Sequence, residues 1–315
     1  MATYLFRRLG FILLTMLLAS IVIFAATQFL PGDVAQVVLG QFSTPEAVAN
    51  LREELGLNRP ITVQYLDWLG GFVTGDWGNS MTSRQPVQPM IMARLRNSAM
   101  LGAVSLLFYV PLGILLGVIA ALKREKAVDQ AISAATMAFV GLPEFVTGLL
   151  LIAFFAFSLK VLPANSSISP DATFKEAFRF LILPAITVSL TSLGYVARMT
   201  RASTIDVLKT DYVRAAELKG LPPMQVLFKH VLRNALLPTV TVVAMGIGYL
   251  IGGLIVTEQL FGYPGLGRLL VYGIQRRDLT LIQACSMVIV AIFSLSNLAA
   301  DMLYGVLNPR IRVSR

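Results

Sequence analysis

Long apolar stretches separated by polar segments dominate the chain. Six of them are long enough to cross a hydrocarbon core about 30 Å thick, which takes roughly 20 residues of helix. They lie at residues 9–30, 98–122, 131–157, 180–197, 236–258 and 280–307. Because a bilayer offers no water to unpaired backbone groups, each stretch must be helical. The pattern predicts an all-α integral membrane protein with six transmembrane helices.

The composition supports a membrane protein. Of the 315 residues, 56% are hydrophobic and only 14% are charged, whereas soluble domains have about 25% charged residues. Cys285 and His230 are the only cysteine and histidine. A disulfide scaffold and a Cys/His metal site are therefore excluded, and we expect no metal bound by this chain.

The distribution of basic residues predicts the orientation. With the N-terminus inside, the inner segments 1–8, 123–130, 198–235 and 308–315 hold 15 Lys and Arg in 62 positions. The outer segments hold 11 in 110 positions. By the positive-inside rule, both termini are cytoplasmic. The net charge of +9 then reflects topology and contact with anionic lipid rather than nucleic acid. The first apolar run exceeds the usual core of a signal peptide, which favours a retained anchor.

These segments suggest three parts. Residues 1–97 comprise the first span and a long extracytoplasmic segment, residues 98–307 the core, and residues 308–315 a cytoplasmic tail.

In the outer segment, Thr44-Pro45 predicts the start of a helix and Gly56 its end. A second helix at 61–72 places Tyr65, Trp68 and Leu69 on one face, which we expect to lie at the membrane interface or to pack on the spans. The glycines and proline of segment 261–268 predict a tight turn.

The inner segment 198–235 holds the candidate coupling loop. Residues 211–219 predict a short helix capped by Asp211 and ended at Gly220. The small side chains of Ala215 and Ala216 leave backbone accessible, which suits insertion into a groove of another protein; a solvated loop is the alternative. Residues 224–236 predict an amphipathic helix on the inner surface, before Pro238 starts the fifth span. Its apolar stripe is formed by Leu227, Phe228, Val231, Leu232 and Ala235.

Several motifs resemble a known family. Ala215-Ala216, Gly220 and Leu237-Pro238 resemble the EAA loop of ABC importer permeases. A wider set resembles the dipeptide/oligopeptide/nickel permeases from end to end: segments 29–33, 51–57, 64–70, 75–78, 261–268 and 308–312. Two regions depart from the family pattern. In the loop, Arg214 stands where Glu usually begins it and Glu217-Leu218 replaces the usual basic pattern. After the first outer segment, Arg96 stands where Pro is typical.

The resemblance implies a type I ABC importer permease fold in a bacterial inner membrane. It implies a second homologous permease subunit, two cytoplasmic ATPase subunits and an extracytoplasmic substrate-binding protein. ATP and Mg²⁺ would be bound by the ATPases, since this chain has no phosphate-binding Gly-rich loop and no catalytic residue is expected. Di- or oligopeptides are the first choice of cargo, with nickel, opines, glutathione and sugars left open. The predicted ATPase-coupling residues are Asp211, Tyr212, Arg214, Ala215, Ala216, Glu217, Lys219, Gly220 and Leu221.

Polar residues inside spans are candidates for the pathway or for subunit contacts. Glu144 follows Pro143 midway along the third span, where it could line the pathway or pair with the partner permease. Asn297 and Asp301 lie four residues apart on the sixth span and suggest a helix–helix clamp or gate brace. A secondary carrier would want an internal repeat, which we do not find. An intramembrane enzyme would need a nucleophile beside a base, which Cys285 and His230 do not provide.

Overall fold

The computed structural model describes residues 2–28, 39, 44–54, 56–168 and 173–307. These residues form helices and connecting segments, with one isolated bridge between Asn79 and Pro86. The helices are α1 (Ala2–Gln28), α2 (Pro45–Glu54), α3 (Ile61–Thr74), α4 (Val87–Leu122), α5 (Ala127–Gly141), α6 (Glu144–Leu151), α7 (Phe174–Leu208), α8 (Asp211–Leu218), α9 (Pro223–Val226), α10 (Leu232–Phe261), α11 (Leu266–Arg276) and α12 (Leu279–Leu307). The family-like motifs at 29–33 and 308–312 and the tail 308–315 lie outside the described residues.

Five helices in the described residues are long and apolar enough to cross a membrane. They are Phe6–Gln28, Val87–Leu122, Phe178–Leu208, Pro223–Leu250 and Leu279–Met302. A sixth span forms only if the bent pair Ala127–Gly141 and Glu144–Ser158 is counted as one. The chain is therefore an all-helical, multi-pass membrane protein with five or six candidate spans.

The predicted third span at 131–157 is not one continuous helix. α5 and α6 meet at an angle of 110°. Leu142 is extended (φ −87°, ψ 134°) and Pro143 follows with ψ 139°. The ring of a proline disfavours helical backbone in the residue before it, and proline supplies no N–H to continue the helix. Leu142 and Pro143 therefore break the span in its middle, and Glu144 begins a new helix rather than sitting within one.

Two compact units divide the chain. One comprises Met1–Ser98 with Pro264–Leu295, and the other comprises Ala99–Tyr263 with Ser296–Arg315. In the first unit, Phe24 of α1 lies 5.4 Å from the ring of Tyr65 and 5.6 Å from that of Trp68. Ser20 hydrogen-bonds the Tyr65 hydroxyl at 2.8 Å. The aromatic face of α3 thus packs on the first span, as the spacing predicted.

A capping residue and a glycine set the two ends of α2, as predicted. The Ala47 N–H donates to Thr44 Oγ1 at 3.3 Å, and Pro45 is the first helical residue. Gly56 has φ +66°, a left-handed conformation that costs glycine nothing because it lacks a Cβ. Its N–H donates to the Glu53 carbonyl at 3.0 Å. The start and end of this outer helix are therefore confirmed.

A buried aspartate joins two distant segments of the same unit. Asp278 is fully buried, and its Oδ1 accepts from the N–H of Leu281 at 3.1 Å, in the first turn of α12. Its Oδ2 accepts from Ser80 Oγ at 2.5 Å and from the Thr82 N–H at 3.1 Å. Asp278 thus caps the last long helix and holds the segment before α4. No local pattern predicts a pairing across almost 200 positions.

In the second unit, α7 is much longer than the predicted span 180–197. It begins at Phe174, preceded by Thr173, whose N–H and hydroxyl donate to Glu176 Oε2 at 3.0 and 2.8 Å. The backbone bond, with the hydroxyl bond after it, lowers the pKa of the Glu176 carboxyl. α7 then continues to Leu208, so the first eleven residues of the predicted loop 198–235 are helical. α7 therefore continues without interruption to the residues just before α8.

Candidate functional site

The predicted coupling helix exists, and it is α8. It begins at Asp211, separated by two residues from the end of α7 at Leu208, and it ends at Leu218. We expected Asp211 to cap it, but Thr210 holds the cap position. The Thr210 side chain makes no capping hydrogen bond to α8; its hydroxyl donates to the Val207 carbonyl at 2.6 Å. Asp211 lies inside that turn, where the helix dipole favours a carboxylate.

The end of α8 is fixed by a glycine. Gly220 has φ +75°, and its N–H donates to the Glu217 carbonyl at 2.9 Å. The Leu221 N–H donates to the Ala216 carbonyl at 3.4 Å. This pair of bonds is a Schellman motif, which satisfies carbonyls that a helix end otherwise leaves unpaired. Pro222 then starts the next helical segment in extended conformation, so the chain reverses within a few residues.

One face of α8 belongs to a hydrophobic core. Val213 is fully buried and Ala216 is 5% exposed, and Leu221 packs against the same cluster. The other buried members are Val118, Val226, Leu227, Val231 and Ala235. The expectation that both alanines are available to a partner is therefore wrong for Ala216, because the three-to-four-residue helix repeat places it one turn from Val213.

The opposite face of α8 is exposed and carries both apolar and charged side chains. Leu218 is 83% exposed, although it is a large apolar side chain at the end of the helix. The other exposed residues are Asp211, Tyr212, Arg214, Ala215, Glu217, Lys219 and Gly220. The predicted coupling residues include these charged neighbours but not Leu218. The helical spacing from Val213 and Ala216 could have identified Leu218 as outward-facing.

Tyr212 also connects α8 to α10. Asn234 Nδ2 donates to the Tyr212 hydroxyl at 2.9 Å. Asn234 was not among the predicted site residues, because its partner lies 22 positions away. Together with the buried cluster, this bond holds α8 against α10.

The segment after α8 differs from the predicted surface helix. Helical backbone runs from Pro223 through a π-helical turn at Leu227–Val231 into α10, and Pro238 lies inside α10 rather than at its start. Leu227, Val231 and Ala235 of the predicted stripe are buried, but Phe228 is 62% exposed. A π turn adds one residue to the repeat and rotates the following side chains. The prediction of a separate amphipathic helix is therefore wrong, and the coupling segment leads directly into a span.

A buried ion pair braces the helix that leads to α8. Arg201 Nε and Nη2 of α7 donate to Asp129 Oδ1 and Oδ2, each at 2.6 Å. The Asp129 side chain is 5% exposed. The Glu125 N–H donates to Asp129 Oδ2 at 2.9 Å, so the carboxylate also fixes the turn before α5. Arg201 is seven residues before the last residue of α7, which is two helical turns.

Glu144 lies at the break between α5 and α6. Its Oε1 accepts a short hydrogen bond from the Thr257 hydroxyl of α10. A Cβ added to Gly253 would lie 2.6 Å from Glu144 Oε2, whereas one added to Gly252 would meet nothing within 4 Å. Gly253 therefore provides the space that the carboxylate occupies. The other polar candidates, Asn297 and Asp301, are half-buried on α12, and their roles stay predictions.

The two adjacent glycines should respond differently to alanine. We expect Gly253→Ala to displace the Glu144 carboxylate and to lower the free energy of unfolding by no more than about 1 kcal/mol, because the atoms that must move are the end of a flexible side chain. Gly252→Ala should stay within about 0.5 kcal/mol of the parent, because the added methyl group meets no neighbour. Thermal midpoints of the two purified variants in detergent test this. Equal midpoints would show that the carboxylate does not need the space at Gly253.

The comparisons with known proteins agree with this architecture. The candidate spans and the exposed helix α8 between two of them are typical of a multi-pass membrane protein. A family model described as binding-protein-dependent transport system inner membrane component matches residues 113–313. The N-terminal model for membrane components of such systems matches residues 1–102. The chain belongs to this family of binding-protein-dependent transport system inner membrane components.

Individual relatives match over the full length. The chain is 38% identical to the probable peptide ABC transporter permease protein y4tP of Sinorhizobium fredii, covering 99% of this chain and 100% of that protein. It is 36% identical to the dipeptide transport system permease protein DppB of Escherichia coli K12, covering 99% of each. The same identity and coverage hold for the glutathione transport system permease protein GsiC of Escherichia coli K12.

A solved structure supports the fold. The inward-facing MetNI methionine ABC transporter matches with a TM-score of 0.50 at 17% identity, covering 70% of this chain and 96% of that chain. That likeness is informative about the fold alone. Family membership makes this chain an ABC transporter permease subunit in the inner membrane and not an enzyme, since separate subunits hydrolyse ATP.

Proposed function

We propose that this chain is one permease subunit of an ATP-driven, binding-protein-dependent importer of di- or oligopeptides, and that α8 is its contact with an ATPase subunit. The observation that carries the coupling role is the division of α8 into two faces. Val213 and Ala216 fix it to the permease core, while Leu218 is 83% exposed among charged neighbours. An apolar side chain within a charged rim is the usual arrangement of a protein interface.

The rigid connections of α8 suit the transfer of motion. The Schellman motif and the buried cluster join it to α9, and the bond from Asn234 to Tyr212 joins it to α10. α7 leads into it without a flexible loop. A force applied to α8 by an ATPase that closes on ATP would therefore move two spans together. Such coupling requires different contacts in two global states, which ATP binding supplies.

The assembly that we propose contains this chain, a second homologous permease subunit, two cytoplasmic ATPase subunits and an extracytoplasmic substrate-binding protein. Both termini and α8 lie on the cytoplasmic side, in agreement with the distribution of Lys and Arg. Peptide cargo is supported by the similarity to y4tP, a probable peptide permease, and to DppB, a dipeptide permease. Glutathione, the cargo named for GsiC, is itself a small peptide-like molecule and is the second candidate.

Reconstitution tests the proposal. Proteoliposomes that contain this chain with its partner permease, ATPase subunits and binding protein should accumulate a labelled dipeptide only when ATP is present on the ATPase side. Omission of the binding protein or the ATPase should abolish accumulation. Glutathione in place of the dipeptide distinguishes the two cargoes. Uptake by this chain alone, without nucleotide, would overturn the proposal.

A further inference from the structure

The side chain of Glu144 lies at the 110° break of the candidate sixth span. Among the described residues, no Lys, Arg or His lies within ion-pair distance of it; its hydrogen-bonding side chain is the neutral Thr257. A carboxylate in a span is costly without a partner, and such residues normally face a water-filled path or a counter-ion. Glu144 is half-buried, so part of its surface is open to an approaching group.

The backbone around Glu144 is arranged to present it. The 110° break after Gly141 ends α5 and makes Glu144 the first residue of α6. Across from it, Gly253 has no side chain to displace the carboxylate, and the neighbouring Gly252 leaves open space. Irregular backbone at membrane depth is tolerated where it lines a cavity. Gly141, Leu142 and Pro143 of the break are all exposed among the described residues.

We propose that Glu144 is a cation subsite of the translocation path and that it takes the terminal ammonium group of a peptide during passage. The inference rests on the proposed function for its ligand. Peptides share a primary ammonium group, which donates up to three hydrogen bonds and matches a carboxylate. Thr257 donates to one carboxylate oxygen, and the other lies 2.6 Å from the position that a Cβ on Gly253 would take.

A charge-selective labelling experiment tests the subsite. The native Cys285 is fully buried, so a cysteine introduced at Gly252 is the accessible thiol. In the assembled transporter, we measure the modification rates of Gly252→Cys by cationic and anionic methanethiosulfonate reagents of equal size. With Glu144 present, the cationic reagent should be favoured. Glu144→Gln keeps an acceptor for Thr257 and removes the charge, and should reduce the cation-to-anion rate ratio about tenfold.

The control is Ser83→Cys in the exposed segment before α4, whose rate ratio should be the same with Glu144 and with Glu144→Gln. Millimolar alanyl-alanine should slow cationic labelling of Gly252→Cys at least twofold, while N-acetyl-alanyl-alanine, which has no ammonium group, should not. An unchanged rate ratio in Glu144→Gln would overturn the subsite, as would equal protection by the two peptides. Labelling needs neither ATP nor uptake, so the subsite and the transport proposal can fail separately.

Discussion

Leu218→Asp should abolish ATP-dependent peptide uptake by the reconstituted transporter. Leu218 is the large apolar side chain at the exposed end of α8, and an interface hot spot of this kind contributes at least about 2 kcal/mol. Replacement by a carboxylate also places a charge where the partner would exclude water. The affinity for the ATPase should therefore fall at least about 30-fold. Co-purification of the ATPase with a tagged permease and dipeptide uptake both measure the effect.

The matched control is Leu218→Met, which conserves volume and apolarity and should retain both uptake and ATPase binding. Because Leu218 lies outside the buried cluster of α8, the aspartate variant should keep the thermal midpoint of the permease. Loss of function with an unchanged midpoint assigns the effect to the contact. A Leu218→Asp transporter that retains ATPase and normal uptake would show that α8 does not dock through this residue.

Arg201→Ala should destabilise the permease by about 1–3 kcal/mol, the cost of leaving a buried acceptor without its hydrogen-bond donors. The remaining Asp129 carboxylate is nearly inaccessible and has lost two hydrogen bonds of 2.6 Å. The turn before α5 is held to the same carboxylate, so its connection to α7 should loosen as well. Thermal and denaturant unfolding of the purified complex measure the loss, and uptake should fall with it.

A double-mutant cycle separates the pair from its surroundings. Asp129→Asn should cost less than Arg201→Ala, because the Arg201 side chain is 31% exposed and can reach water. Asp129→Asn combined with Arg201→Ala should be more stable than Arg201→Ala alone, since no charge is then buried unpaired. The coupling energy should lie between about 0.5 and 3 kcal/mol. Strict additivity of the two substitutions would contradict an energetic role for the pair.

The structure differs from the sequence prediction where packing between helices outweighs the preferences of neighbouring residues. Pro143 and Pro238 have the same local chemistry, yet Pro143 ends a helix at a 110° break and Pro238 lies inside α10. The rules for proline and its preceding residue allow both outcomes, and packing selects one. Hydrophobicity windows likewise ended α7 at 197, because Arg198 and Arg201 read as loop residues. In the structure, Arg201 is paired with Asp129, and the helix continues.

The amino-acid sequence by itself determined that this is a helical membrane protein, where most of its spans lie, and the existence and end of α8. These properties depend on local apolarity and on residues such as Gly220, whose conformational freedom needs no neighbour. Only the tertiary structure decided which face of α8 is available, that Asp129 meets Arg201, and that Gly253 admits the Glu144 carboxylate. Those contacts join residues 72 and 109 positions apart, and the periodicity of one helix contains no information about the partner that a different helix presents to it.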